Sequence, residues 1–304
     1  MVNGIISPMV TPLLSDNLSL DVNGVNRLIE HIITGGVHGL FILGTTGEAT
    51  SLSYKTREQL IVESCKIVNK RLPVFVGISD TSIEESLNLA SIAHKAGASA
   101  VVAAPPFYYG LGQEELFKYY WSLADQLPLP LFLYNMPSHT KVNIDRETVV
   151  RLAEHKNIIG LKDSSANTVY FQSLCYLLKS KDDFTLLVGP EEITSETVLM
   201  GGNGGVNGGS NLFPKLYVEL YKATIAKDFA RINILQNLVM EIATKVYTLG
   251  SYGSSYLKGM KGALAALGII EANIAPPFNT FEEKEMTEVV KNIKRIEIEI
   301  AKVL

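Results

Sequence analysis

The chain has 304 residues, 47% of them hydrophobic and 19% charged, which is enough apolar material for a large core and too much for a disordered segment. A formal net charge of −4 and a pI near 5.8 exclude the basic footprint of a nucleic-acid binder. The two cysteines, Cys65 and Cys175, give neither a disulfide framework nor a metal-ligand spacing, and no apolar run approaches the ~18 residues of a membrane span.

The opening run from Met1 to Pro8 carries no basic n-region and no long apolar segment, so a reduced, cytoplasmic setting is expected. From there, short apolar runs alternate with helical patterns at intervals of roughly 25 to 30 residues, as in serial βα units. The predicted strands are Ile5–Val10, Leu40–Leu43, Val74–Val76, Ala100–Ala103, Leu131–Tyr134, Ile158–Lys162, Thr185–Val188 and Gly204–Asn207. Between them, apolar residues recur at helical spacing, as in Val25, Leu28, Ile29 and Ile32. Glycine marks several helix exits (Gly35-Gly36, Gly97, Gly201-Gly202), where the left-handed conformation that stops a helix costs it least. By composition Gly201–Gly209 could be a flexible linker, but its place in the series makes it the eighth strand. Strands that are apolar throughout, rather than alternating, belong to a parallel sheet covered on both faces. Eight such units predict a (β/α)8 TIM barrel. An open doubly wound sheet is the alternative, but no Gly-x-Gly-x-x-Gly follows the first strand. Beyond Ala223 no strand-like run occurs; three helices are expected at about Lys227–Tyr247, Ser255–Leu267 and Phe281–Leu304, with Pro276-Pro277 separating the last two. The reading is a barrel catalytic domain over 1–223 and a helical domain over 224–304.

Barrel active sites lie at the C-terminal ends of the strands, and reactive groups are sought there. Lys162 closes the run Ile158-Ile-Gly-Leu-Lys-Asp163 and is the only lysine within a predicted strand. Burying an ammonium is costly, whereas a neutral amine is what attack on a carbonyl requires. The bland alternative is an ion pair with Asp163, which the opposite facing of adjacent strand residues disfavours. Tyr134 ends the fifth strand; its phenol could move protons, or it could be an ordinary core aromatic. Gly44-Thr45-Thr46-Gly47-Glu48 follows the second strand and offers N–H groups and hydroxyls for a carboxylate, or is a plain capping turn. Pro105-Pro-Phe-Tyr-Tyr109 follows the fourth strand and suits packing or a subunit contact. The five histidines are scattered, so no metal site is expected; His31, His38, His94 and His155 are read as surface residues. His139 stands apart in the loop after Tyr134.

Gly44-Thr-Thr-Gly-Glu48 with the Ala-Thr-Ser-Leu-Ser that follows, Tyr134-Asn-Met-Pro137 and Gly160-Leu-Lys-Asp163, in this order and spacing, resemble the dihydrodipicolinate synthase / N-acetylneuraminate lyase family of pyruvate-dependent class I aldolases. The resemblance covers almost the whole chain. It implies that Lys162 is the Schiff-base lysine and Tyr134 the proton-moving phenol. It implies that Thr45 belongs to the proton relay and that Thr45 and Thr46 hold the 2-oxo acid carboxylate. Tyr108 matches a relay tyrosine that reaches a neighbouring subunit's site, which implies a homotetramer built as a dimer of dimers. Val206 matches a position whose backbone carbonyl faces the oxo acid. Where the synthases of the family carry an arginine for a second substrate carboxylate, this chain has His139, which is shorter and cannot clamp bidentately. The expectation is therefore a lyase that reversibly splits a 2-oxo-3-deoxy sugar acid into pyruvate and an aldehyde, or dehydrates it through the same imine. Dihydrodipicolinate synthesis is the alternative enzyme reading, and a catalytically silent barrel the alternative of another class. No cofactor is expected, because the imine itself serves as the electron sink.

Overall fold

The computed structural model describes residues 2–304 and closes eight parallel strands into a barrel in sequence order. The strands are β1 (Gly4–Pro8), β2 (Gly39–Ile42), β3 (Val74–Gly77), β4 (Ala100–Ala103), β5 (Leu131–Asn135), β6 (Ile158–Asp163), β7 (Thr185–Val188) and β8 (Gly204–Val206). All eight predicted strands are present, with ends displaced by at most two residues. The Gly-rich run is strand, not linker: Gly4, Ile5 and Ile6 pair with Gly204, Gly205 and Val206 to close the ring.

The helices between strands are α1 (Val22–Thr34), α2 (Tyr54–Val68), α3 (Ile83–Ala96), α4 (Gln113–Gln126), the one-turn α5 (Pro137–Thr140), α6 (Arg146–Leu152), α7 (Thr168–Leu177) and α8 (Thr194–Leu199). Their starts are set locally. The side chains of Asp21, Ser53, Ser82 and Asn167 accept from the N–H groups of Gly24, Thr56, Glu85 and Tyr170, satisfying donors that the first helical turn leaves free. Two apolar layers result. Ile5, Ile42, Val76, Val101, Leu133 and Leu161 face outward against the helices, while Ile6, Phe41, Phe75, Val102, Phe132 and Leu187 fill the ring itself. The barrel is therefore a packed plug, and chemistry is confined to its mouth.

The last barrel helix is α9 (Pro214–Ile225), so the division expected between residues 223 and 224 falls in its final turn. It is followed by α10 (Phe229–Lys245), α11 (Ser255–Ala266) and α12 (Glu283–Val303), the three helices expected. Here α10 packs on α9, and α12 packs on both α10 and α11. Among the described residues no helix is long and apolar enough to cross a membrane.

Three histidines are not the surface residues that the sequence suggested. His155 is buried, bonded through Nε2 to Asp125 Oδ1 at 3.0 Å while its Nδ1 accepts from Asn157 N–H. His38 and His31 are half-buried; His38 Nδ1 accepts the N–H of Ile5, and His31 Nε2 lies 3.0 Å from the carbonyl of Leu212. Each ring lies within hydrogen-bond distance of a backbone N–H or carbonyl, a role with no periodic signature. His94 is exposed, as expected.

Candidate active site

Strict alternation along β6 would turn Lys162 out of the ring. Ile158 packs outward and Ile159 inward, so a regular strand would carry Leu161 inward and Lys162 outward. The register slips by one residue between the pairs Leu131–Ile158 and Phe132–Gly160, which leaves Ile159 as the extra residue and sets Gly160 against the Phe132 ring. Beyond the slip Leu161 packs outward, and Lys162 lines the barrel interior with Phe41, Phe132, Leu187 and Val206. A β-carbon on Gly160 would lie 2.4 Å from the Phe132 ring and 2.5 Å from the Thr185 carbonyl, so only glycine fits.

Lys162 is 6% exposed, and its register partner on β5 is Tyr134. The amine nitrogen stands 4.1 Å from the centre of the Tyr134 ring and 4.9 Å from that of Phe41. Asp163 is not its partner. That carboxylate accepts from Asn135 Nδ2 at 2.8 Å and from both the N–H and hydroxyl of Ser165, tying the outer sides of β5 and β6 together. Burial raises the Asp163 carboxyl above its ordinary range, and these hydrogen bonds oppose the rise. Among the described residues Lys162 makes no ion pair.

The Tyr134 hydroxyl lies 3.1 Å from Thr45 Oγ1, which brings the turn after β2 to the lysine. Leu43 and Glu48 flank this turn in the left-handed region, at φ 57° and 56°. Glu48 is buried and forms an ion pair with Lys261 of α11, while its other oxygen accepts the N–H of Ala275 at 2.7 Å. Lys261 also donates to the carbonyl of Asn273 at 2.6 Å. Burial pulls the Lys261 ammonium below its ordinary range, and Glu48 opposes that pull. Inside the turn, the N–H groups of Thr45 and Thr46 donate to no group among the described residues.

A second set of phenols stands behind the turn. The Tyr256 hydroxyl of α11 lies 3.2 Å from Thr46 Oγ1, and its ring meets that of Tyr247 edge-on at 4.8 Å. Tyr247 and Tyr217 both donate to Glu191, at 3.0 and 2.5 Å, and the N–H of Gly209 donates to its other oxygen. Burial pushes the Glu191 carboxyl up to about 7 against these three donors. Glu191 follows β7 at the barrel mouth, so the rule of strand ends alone could have nominated it. Nothing in the sequence marks Tyr256 or Lys261, which lie in the helical extension.

Of the other expected residues, Val206 lines the ring together with Lys162. His139 lies exposed on α5 at the rim, its Nδ1 3.0 Å from Ser138 Oγ. Partial burial and the charge of Lys141 hold its imidazole below its ordinary range, so it is neutral at pH 7. Tyr108 is not brought to the site within one chain. It is 80% exposed and packs edge-on against Tyr109.

A buried lysine beside a tyrosine at the mouth of a TIM barrel suits lyase chemistry of the aldolase type. The chain belongs to the dihydrodipicolinate synthetase family, whose model matches residues 1–296, and it is an aldolase or lyase of that family's pyruvate-dependent class. It is 56% identical to the dihydrodipicolinate synthase structure from Bacteroides thetaiotaomicron, with a TM-score of 0.94 over 97% of this chain and 98% of that one. A protein of Escherichia coli K12 named "Probable 2-dehydro-3-deoxy-D-pentonate aldolase" is 30% identical over 290 residues, 94% of this chain and 95% of its own length. A further E. coli K12 structure, a prophage protein of the same family in complex with pyruvate, is 28% identical with a TM-score of 0.92, covering 98% and 99% of the two chains. The named relatives include both synthases and sugar-acid aldolases.

Proposed function

We propose that the chain reversibly cleaves a 2-oxo-3-deoxy sugar acid to pyruvate and an aldehyde, through an imine on Lys162. The observation that carries this reading is the placement of one unpaired lysine amine against the Tyr134 ring, with the Tyr134 hydroxyl bonded to Thr45. The Lys162 amine adds to the C2 carbonyl, and Tyr134 gives its proton to the departing hydroxyl, which leaves as water, so that a protonated imine and a Tyr134 phenolate remain. As the C3–C4 bond breaks, its electron pair forms the C2–C3 double bond of an enamine while the C–N π pair moves to the imine nitrogen, and the C4 hydroxyl proton passes to the Tyr134 phenolate as the aldehyde leaves. Tyr134 then returns a proton to C3 of the enamine, and water releases pyruvate. The N–H groups of Thr45 and Thr46, with the Thr46 hydroxyl, hold the C1 carboxylate; the Val206 carbonyl lines the oxo-acid pocket. Tyr108, exposed in the single chain, reaches the relay of a neighbouring copy in a homotetramer.

His139 supports a sugar acid over a second carboxylate, because a neutral imidazole exchanges hydrogen bonds with hydroxyls but supplies no cationic clamp. A second reading, synthesis of the dihydrodipicolinate type from pyruvate and aspartate semialdehyde, is favoured by the 56% identity to the Bacteroides structure of that name. Borohydride added with pyruvate is expected to leave a pyruvyl mass on the peptide carrying Lys162, and none in Lys162→Ala, which keeps its fold. An intact protein that turns over but shows no adduct would sink the mechanism. Pyruvate release from a panel of 2-oxo-3-deoxy acids, against condensation with aspartate semialdehyde, separates the two readings.

A further inference from the structure

The helical extension reaches the barrel mouth at two points on one helix. Lys261 of α11 pairs with Glu48 at the end of the turn, and Tyr256 of the same helix meets Thr46 in its middle. Thr46 is buried, and the Tyr256 hydroxyl is the side-chain partner of its hydroxyl. We infer that Tyr256 is a positioning residue for 2-oxo acid binding, acting through the Thr46 hydroxyl; the inference rests on the carboxylate reading of that turn given above.

A threonine hydroxyl has one proton and free rotation about its C–O bond. Left alone, it can point that proton toward a bound carboxylate or away from it. A phenol is a stronger donor than an aliphatic alcohol, so the Tyr256 O–H donates to Thr46 Oγ1. With that lone pair occupied, the Thr46 proton turns outward to the carboxylate. Burial and the neighbouring Glu191 push the Tyr256 phenol well above its ordinary range, so it keeps its proton.

The phenol itself is held in place. Its ring leans on Tyr247, whose hydroxyl is fixed on Glu191 together with that of Tyr217. The two glycines after β8 make room for this cluster. A β-carbon on Gly208 would stand 1.8 Å from the Tyr256 oxygen, and one on Gly209 the same distance from the Tyr217 oxygen. The Gly-rich segment after β8 therefore admits one phenol from α9, the last barrel helix, and one from α11 of the extension to the carboxylate-binding side of the site.

The test is the pyruvate concentration that half-saturates borohydride trapping on Lys162, together with kcat and KM in the cleavage direction. Tyr256→Phe keeps the ring and removes only the hydroxyl. It is expected to raise the half-saturating pyruvate concentration and KM about 10-fold, the worth of one hydrogen bond to a charged group, with kcat changed less than about 3-fold. Thr46→Val is expected to show at least the same rise, and the double variant no more than Thr46→Val alone, because both changes break one chain. Unchanged pyruvate saturation in Tyr256→Phe, or losses that add in the double variant, would overturn the inference while leaving the imine in place. A kcat loss without a change in saturation would also overturn it, and would place Tyr256 in the proton relay instead. Absence of any adduct in the unsubstituted chain would remove the Schiff-base reading and this inference with it.

Discussion

At the scale of single residues, Tyr134 and Glu191 carry separate expectations. Tyr134→Phe leaves the ring that faces Lys162 and removes the hydroxyl that meets Thr45. Loss of proton transfer is expected to lower kcat by about 100-fold or more, while the pyruvyl adduct on Lys162 still forms slowly. Steady-state kinetics beside trapping rates check this; full activity would show that the phenol moves no proton. Glu191 acts on stability. Its carboxyl titrates near 7 in the fold against a value of 4.5 when unperturbed, because burial disfavours the charge. Between those values the native state holds a proton that the unfolded chain has released. Stability from this group is therefore complete below about pH 4.5 and declines as pH rises toward 7. Thermal melts from about pH 5 to 8 are expected to show a falling Tm, and Glu191→Gln should flatten that slope. A slope identical in the two proteins would assign it to other groups.

At the scale of elements, β6 decides whether there is a site. Its residues read as a strand from composition alone, yet the face that Lys162 takes depends on the slip opposite Leu131 and Phe132. Gly160 makes the slip possible because no side chain stands between the Phe132 ring and the Thr185 carbonyl. Gly160→Ala is expected to push these groups apart at a cost of about 1–3 kcal/mol, the range of overpacked cores. With Lys162 shifted from Tyr134, kcat should fall at least about 10-fold. Melting curves and kinetics on the variant check both; a normal kcat would mean the register of β6 tolerates the extra carbon. The turn after β2 shows the same dependence. Its glycines and threonines are plain in the sequence, but what fixes it is Glu48, whose partner lies more than two hundred residues away on α11.

At the scale of the whole molecule, that ion pair fastens the helical extension to the barrel. Both side chains are almost wholly enclosed, and removing one leaves the other charged and alone. Lys261→Met is expected to destabilise the protein by about 3–5 kcal/mol, and the double change Glu48→Gln with Lys261→Met by clearly less. Denaturant unfolding of the three proteins tests this; equal losses would mean that the pair is not coupled. The extension and the barrel thus share contacts at the barrel mouth, beside the turn proposed to hold the oxo-acid carboxylate. Tyr108 is exposed on the surface of the single chain, so the role proposed for it requires a neighbouring copy.

The sequence by itself determined the eight strands, the three terminal helices and the family, because apolar periodicity and short motifs are local and survive as written. It named Lys162, Tyr134 and the threonine turn because strand ends are where a barrel keeps its chemistry. The tertiary structure alone decided which way Lys162 faces, since one extra residue in the register reverses every side chain beyond it. It alone revealed Lys261, Tyr256 and the bonded rings of His31, His38 and His155, whose partners leave no spacing to read. Periodicity reports which face is apolar; only packing reports which polar group meets which.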